Sequence, residues 1–262
     1  MLIFGIPLLV FLVGIIFLIQ WIAFIPAFIF QTEKFFDLIG SMTYVLIMSL
    51  AVFLSAEMDG RSMLLLVLVM IWAIRLGLFL FSRIQKTGKD SRFDKIKPFF
   101  LPFLLTWTIQ GLWVTFTLAA ALSAITTTHR KDMGFPALIG LILWISGFFF
   151  EVVADHQKRA FRANPDNQGK FIDSGLWALS RHPNYFGEIV LWIGIAVIAI
   201  PVLQGWLWLS LISPVFVIIL LTRISGIPLL EKAADKQWLE QEAYQAYKER
   251  TPLLIPKLWI HQ

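Results

Sequence analysis

An all-α, polytopic membrane protein with seven transmembrane helices is the fold that this sequence predicts, and three observations predict it. The 262-residue chain is 58% hydrophobic and only 15% charged, against roughly 25% charged in an ordinary soluble domain. Its mean hydropathy is +0.76. Its apolar residues gather in runs long enough to cross a bilayer core about 30 Å thick, which takes roughly 20 residues per helix. So much apolar surface calls for lipid, not water.

The runs place helices over 3–30, 38–56, 62–82, 99–126, 135–155, 185–204 and 206–224. The first extends from Ile3 to Phe30 without a charge, far longer than the hydrophobic region of a signal peptide, and is expected to stay as a membrane helix. The second and third are separated only by Glu57, Met58, Asp59, Gly60 and Arg61, a helical hairpin turn. The sixth and seventh part at an uncharged break near Pro201 and Gly205. No internal repeat and no Pro/Gly/Ser-rich linker divides the chain, so residues 1–262 are read as one integral membrane domain.

Seven spans put the termini on opposite faces, and the basic residues test that arrangement. Of the 22 Lys and Arg, 18 fall in the odd-numbered loops and the C-terminal tail, with Arg223 at the end of the last span counted in the tail, three in the even-numbered loops, and Arg75 within a span. Cytoplasmic loops carry the excess of Lys and Arg. The expected orientation is therefore N-terminus outside and C-terminus cytoplasmic, in a membrane read as the bacterial inner membrane. The same bias accounts for the net charge of +5 and the pI near 9.5. No basic helix or aromatic sheet pattern accompanies that charge, so no nucleic-acid partner is expected.

The absence of cysteine excludes disulfides, thiolate metal sites and cysteine nucleophiles. His129, His156, His182 and His261 are scattered, and no metal site is expected. No G-x-G-x-x-G after a strand, P-loop, nucleophile elbow or H-E-x-x-H occurs. A nucleotide must then be held by helix ends and loops.

Ionisable residues that the membrane does not explain are candidates by default. Glu57 reads either as a solvated acid at the outer interface or as a carboxyl facing a lipid-lined cavity, where desolvation favours the protonated, donating form. Arg75 lies mid-span and needs a partner, with Glu57 or Asp59 as structural candidates. Glu151 and Asp155 are four residues apart and share a helical face despite their like charge. They lead into the longest polar stretch, 156–184, whose Arg159, Arg162, Asn164, Lys170, Trp177, Arg181, His182 and Asn184 suit phosphates, hydroxyls and an aromatic base. Glu188 lies one turn into the next helix, and Arg223 marks the end of the last span. Beyond it, apolar and charged residues alternate at helical spacing, the pattern of an amphipathic helix. That helix either covers the polar loop or rests on the headgroups.

From Glu151 to Pro256 the chain resembles the steroid 5α-reductase family, bacterial members included. The resemblance rests on Glu151-x-x-x-Asp155, the run from Gly175 through Ser180-Arg181-His182-Pro183-Asn184-Tyr185 to Glu188, Arg223, and the Tyr244-x-x-Tyr247 to Pro256 ending. It implies a seven-helix enzyme that uses NADPH to reduce a carbon–carbon double bond conjugated to a ketone in a lipid, with a 3-oxo-4-ene steroid as the family expectation. It implies cofactor contacts from Asp155, Arg162, Asn184, Tyr185, Glu188 and Arg223, with Glu151, Arg181 and His182 nearby. Glu57 corresponds to the family's carbonyl-polarising acid. Ala56 stands where the animal pattern has Gln, and Trp72 where it has a tyrosine partner, so Glu57 and Trp72 are the expected substrate contacts. Helices 1–4, residues 1–130, are expected to form the lipid cavity, and residues 131–262 the cofactor site. An S-adenosylmethionine-dependent methyltransferase acting on membrane lipid or isoprenylcysteine is the alternative, because such enzymes share an Arg-His-Pro-x-Tyr segment. A channel, transporter or sensor is a further reading. Helices 1 and 4 carry no ionisable residue within their expected spans and helix 7 only Arg223 at its end, which counts against a conducting path.

Overall fold

The computed structural model describes residues 2–257, and His261 lies outside them. Among the described residues, seven helices are long and apolar enough to span a membrane: Leu8–Ile29, Phe36–Leu54, Gly60–Gln85, Phe100–Thr126, Phe135–Ala163, Pro183–Val202 and Gly205–Trp238. The corresponding α-helices are α1 (Leu8–Ile29), α2 (Phe36–Leu54), α3 (Gly60–Thr87), α4 (Phe100–Thr126) and α5 (Phe135–Ala163). They are followed by the short α6 (Leu176–Leu179), α7 (Pro183–Ala199), α8 (Ile212–Ile219), α9 (Ile227–Trp238) and α10 (Glu242–Arg250). Large apolar side chains remain exposed along the spans, among them Val10, Leu18, Phe53, Leu78 and Ile142. A surface of that kind belongs against acyl chains.

Among the differences from the sequence expectation, three have a clear local reason. Residues 2–7 form a two-strand hairpin, with Leu2–Ile3 paired to Ile6–Pro7. Gly5 turns it at φ +80°, and α1 starts only after Pro7, the residue type that opens a helix without losing a needed N–H. At the other extreme α5 runs eight residues past Asp155. His156 to Ala163 are polar but include good helix formers such as Gln, Lys, Arg and Ala, and nothing breaks the helix before Asn164-Pro165. Span seven is built from a 3₁₀ stretch at Gly205–Leu211, then α8, and a π-helical turn at Leu220–Ile224 that carries Arg223.

The chain divides into two compact units, 1–138 with 196–213, and 139–195 with 214–262. In the first, α1 and α4 pack through Phe24, Phe103 and Trp107, with edge-on ring contacts such as Phe24–Phe103 at 5.8 Å between centroids. Its polar ends are pinned by ion pairs and carbonyl clamps. Glu33, before α2, pairs with Lys97, before α4, at 2.6 Å and also accepts from the Asp90 N–H at 3.0 Å. Asp59 caps α3 by accepting from the Ser62 N–H at 2.8 Å, and Arg130 meets it at 3.6 Å. The buried Arg61 donates to the carbonyls of Ile198 and Asp132, so its charge is met by the negative C-terminal end of α7. Arg75 lies 5.5 Å over the Phe79 ring, and Asp59 takes Arg130 as its partner.

The second unit is organised by glycine. A Cβ at Gly147 on α5 meets the Gly187 carbonyl and the Leu191 N–H of α7 at 2.5 Å, and one at Gly194 meets the Gly140 carbonyl at 2.6 Å. Gly140 and Gly147 are seven residues apart, as are Gly187 and Gly194. The antiparallel helices therefore touch backbone to backbone along one seam, as small residues allow in membranes. That seam sets Glu151 and Asp155 of α5 beside the first turn of α7.

Candidate functional site

The polar centre of the second unit is built on the extended end of α5, the segment 164–182, the start of α7, and α9 with α10. Asp155 is buried and accepts a hydrogen bond from Asn184 Nδ2 at 3.2 Å. Glu151 is buried one turn earlier on α5, and Glu188 sits half-buried one turn beyond Asn184. The segment after α5 is held by local turn chemistry. The Asn164 side chain accepts from the Asp166 N–H at 3.0 Å, and the Gly169 carbonyl accepts from Trp238 Nε1 at 2.7 Å. Gly175 is needed at φ +61°, because a Cβ there lies 2.6 Å from the Gln157 amide. That amide caps α6 by accepting from the Leu176 N–H at 2.9 Å. Trp177 is then locked between the Ala154 carbonyl, to which its Nε1 donates at 3.0 Å, and Lys158, whose Nζ lies 4.3 Å from the ring centroid.

The C-terminal helices cover this segment. Arg181 Nη1 pairs with Glu231 Oε2 of α9 at 2.5 Å, and His182 Nε2 lies 2.8 Å from Glu231 Oε1. The Tyr247 hydroxyl donates to the Trp177 carbonyl at 2.7 Å, and Arg250 meets Asp173 at 3.0 Å. The Arg181 N–H donates to the Pro252 carbonyl at 2.9 Å and the Lys257 N–H to the Leu179 carbonyl at 2.9 Å. Of the two dispositions open to an amphipathic tail, the one over the polar loop is found.

Between these elements lies a cleft of about 100 Å³. Lys158, Arg162, Lys170, Arg181 and His182 line it with Glu231 as the one acid, and Phe171, Trp177, Trp238, Tyr244 and Tyr247 give it aromatic walls. Its buried atoms Arg181 Nε and His182 Nδ1, together with Asn184 Oδ1 close by in the sequence, hydrogen-bond to nothing among the described residues. Such atoms fit a ligand with both donors and acceptors. Burial holds His182 below the usual histidine pKa, and its hydrogen bond to Glu231 offsets only part of that. Burial likewise pushes the Tyr244 phenol up to about 12, so it stays a neutral donor.

The depressed His182 pKa has a consequence for stability. At pH 7–8 the imidazole is largely neutral in both folded and unfolded chains. Below about 6.5, the ordinary histidine value, the unfolded chain takes up a proton that the folded one does not. Stability therefore falls from there down to the folded pKa. Melting temperatures between pH 8 and 5.5 are expected to fall less in His182→Gln than in the native protein, and parallel curves would remove this contribution.

Of the expected cofactor residues, the cleft gathers Arg162, Arg181 and His182. Asp155 and Asn184 are joined by their own bond, and Tyr185 stacks on His182 at 5.7 Å between centroids. Arg223 is exposed on its π-helical turn and is not part of the cleft lining. Lys158, Glu231 and the two tyrosines were not singled out by sequence as cofactor residues, whereas Lys170 was among the loop residues expected to suit a nucleotide. The Tyr244-x-x-Tyr247 spacing, which aligns two rings on one helical face, was the visible signal for the tyrosines alone.

In the first unit, Glu57 is exposed on the turn after α2, and its backbone carbonyl accepts from Arg130 at 3.2 Å. α2 ends at Leu54 and leaves the acid in the loop. Trp72 is 2% exposed, with its ring edge-on to Tyr44 at 5.1 Å. An open apolar groove of about 500 Å³ runs between α1, α2 and α3. Ile19, Met42, Leu46, Ile74 and Leu78 line it, Ser41, Thr43 and Ser49 supply its hydroxyls, and neither Glu57 nor Trp72 reaches it.

Fold and site together define a polytopic membrane protein with a basic, aromatic-walled cleft formed by its C-terminal segments. The family model described as "Protein of unknown function (DUF1295)" matches residues 23–251, and the chain belongs to that family, which is steroid 5-alpha-reductase-like. Among curated proteins, the chain is 28% identical to Delta(14)-sterol reductase TM7SF2 of Mus musculus over 160 residues, 55% of this chain and 35% of that protein. It is 30% identical to 3-oxo-5-alpha-steroid 4-dehydrogenase 1 of Rattus norvegicus over 119 residues, 45% of this chain and 40% of that protein. It is 35% identical to the probable O-methyltransferase ustE of Ustilaginoidea virens over 71 residues, 27% of this chain and 25% of that protein. The chain thus spans about a quarter to two-fifths of the length of these relatives. No solved structure matches significantly.

Proposed function

We propose that the protein is an NADPH-dependent membrane reductase of the carbon–carbon double bond of a conjugated enone in a lipid, with a 3-oxo-4-ene steroid as the leading substrate class. The observation that carries this reading is the charge of the cleft. Lys158, Arg162, Lys170 and Arg181 face one acid, Glu231, and guanidinium forks bind phosphates through paired, charge-assisted hydrogen bonds. A phosphorylated dinucleotide suits such a field. S-adenosylmethionine carries a sulfonium cation and a single carboxylate, so the same field opposes it, and the methyltransferase alternative is the weaker one. The relatives named as steroid and sterol reductases support the same side.

In this proposal Arg162 and Arg181 hold phosphates, and the rings of Trp177, Trp238 and Phe171 supply surfaces for the base. Glu151, Asp155, His182, Asn184, Tyr185, Glu188 and Arg223 complete the cofactor set. When bound, NADPH supplies the hydride. Asp155 fixes Asn184 on the first turn of α7, so that the amide presents Oδ1 in one orientation. The lipid is taken up by the first unit from the bilayer, and Glu57 donates a hydrogen bond to the ketone oxygen, where negative charge develops. Because Glu57 is exposed, the desolvation that this role requires comes from the substrate covering it. Trp72 acts through the packing of α2 on α3. The whole chain acts as one membrane domain, its N-terminus outside and its C-terminus in the cytoplasm of a bacterial inner membrane.

Purified protein supplied with a 3-oxo-4-ene steroid is expected to oxidise NADPH and to return a product heavier by two hydrogens. Glu57→Gln is expected to lower turnover by about 10²–10³ while NADPH binding is kept. Turnover within a factor of about three of the native rate would remove the acid's role without touching the cofactor assignment.

A further inference from the structure

The cleft contains its own anion. Both carboxylate oxygens of Glu231 are engaged by the residues that the proposed function gives to phosphate: Oε2 by Arg181 at 2.5 Å and Oε1 by His182 at 2.8 Å. The space left beside them, about 100 Å³, is well short of the roughly 300–1,000 Å³ of a pocket that takes a small molecule. Phosphate and carboxylate compete for the same guanidinium fork. A phosphorylated ligand therefore cannot reach Arg181 in this arrangement without moving Glu231.

The segment that carries Glu231 joins span seven through irregular backbone. It leaves span seven through the π-helical turn Leu220–Ile224, and such turns recur at functional sites. It then passes Gly226, whose backbone at φ −85°, ψ −98° packs so closely that a Cβ would lie 2.5 Å from the Leu221 carbonyl. Past Gly226, the side-chain polar contacts of α9 with the loop side of the cleft include those of Glu231 with Arg181 and His182, and of Trp238 with the Gly169 carbonyl. α10 returns the chain to the opposite wall through Tyr247 and Arg250.

We propose that Glu231 is a built-in stand-in for the phosphate of the ligand, so that α9 forms a latched lid, anchored at its far end by α10, which the ligand opens by exchanging its own anion for the carboxylate. The inference rests on the phosphate-binding reading of the cleft and not on the identity of the nucleotide. It makes a prediction of unusual sign. Removing a purely structural ion pair loosens the site and weakens binding, whereas removing an internal competitor strengthens it.

The test uses the full-length protein in detergent or nanodiscs, with inorganic pyrophosphate and NADPH as separate probes. Glu231→Gln, which keeps an oxygen for His182, is expected to bind pyrophosphate at least about tenfold more tightly than the native protein, the change that follows from losing one close charge pair. Tighter pyrophosphate binding in the variant, with NADPH ignored by both proteins, upholds the latch and removes the dinucleotide reading. Unchanged or weaker pyrophosphate binding in a folded variant overturns the latch whatever NADPH does. Should the variant fail to fold, hydrogen exchange in the native protein decides. Saturating pyrophosphate is expected to speed exchange over residues 227–238, and unchanged or slower exchange there overturns the proposal.

Discussion

Replacing Arg181 with glutamine is expected to lower the affinity for NADPH by roughly 30- to 700-fold, the equivalent of about 2–4 kcal/mol, which is what truncating one partner of a buried, hydrogen-bonded charge pair costs. Burial gives the position that weight. The Arg181 side chain is 14% exposed, so water screens its charge far less than that of Arg162, which is exposed on α5. Arg162→Gln is accordingly expected to cost about 1 kcal/mol or less, in the range of solvated pairs. The contrast separates a specific phosphate contact from a general basic field. Isothermal titration of both variants checks it, and equal losses would mean that Arg181 has no privileged contact. The loss at Arg181 has a second consequence, because Glu231 keeps only His182 as a partner. A melting curve recorded beside the titration distinguishes weakened binding from a loosened lid.

The second large effect is expected at the helix seam. Gly187→Ala puts a methyl group on the Gly147 carbonyl and 2.6 Å from the Glu151 N–H. The obstacle is backbone, which cannot rotate away, so α5 and α7 must separate. Overpacking a well-filled interior costs about 1–3 kcal/mol, and a backbone clash belongs at or above the top of that range. The separation also pulls Asn184 from Asp155, so ligand binding is expected to fall together with stability. Gly14→Ala is the matched control. It lies in α1, where a Cβ meets nothing within 4 Å, and in an exposed helix the change is neutral or favours stability by up to about 1 kcal/mol. Thermal midpoints of the two variants in the same detergent read the difference. A Gly187→Ala protein as stable as Gly14→Ala would contradict the seam.

The physics of the bilayer explains which parts of this molecule were legible in its sequence. Span length is fixed by membrane thickness, so the seven runs located all seven helices, several of them to within two residues. The end of α5 was hidden because charge alone made His156–Ala163 look like loop. Helix propensity, not polarity, decides such a stretch when no breaker intervenes. The glycine seam was half visible: the seven-residue spacings at Gly140/Gly147 and Gly187/Gly194 can be read directly, but the pairing of one with the other needs the fold. Glu231 could not be found from sequence, because its partners are about 50 residues away and a glutamate in an amphipathic helix reads as solvated. The burial expected around Glu57 depended on where α2 stops. The helix ends at Leu54 and leaves the acid exposed on the turn before α3.

The central claim is that the basic cleft holds a phosphorylated dinucleotide, and a thermal-shift comparison of purified protein with NADPH and with S-adenosylmethionine tests it most directly. At a hundredfold excess over the dissociation constant, a bound ligand stabilises by about 2.7 kcal/mol, enough to raise the melting temperature by several degrees. NADPH is predicted to do so and S-adenosylmethionine to leave the midpoint where it was. A rise with S-adenosylmethionine and none with NADPH would contradict the account.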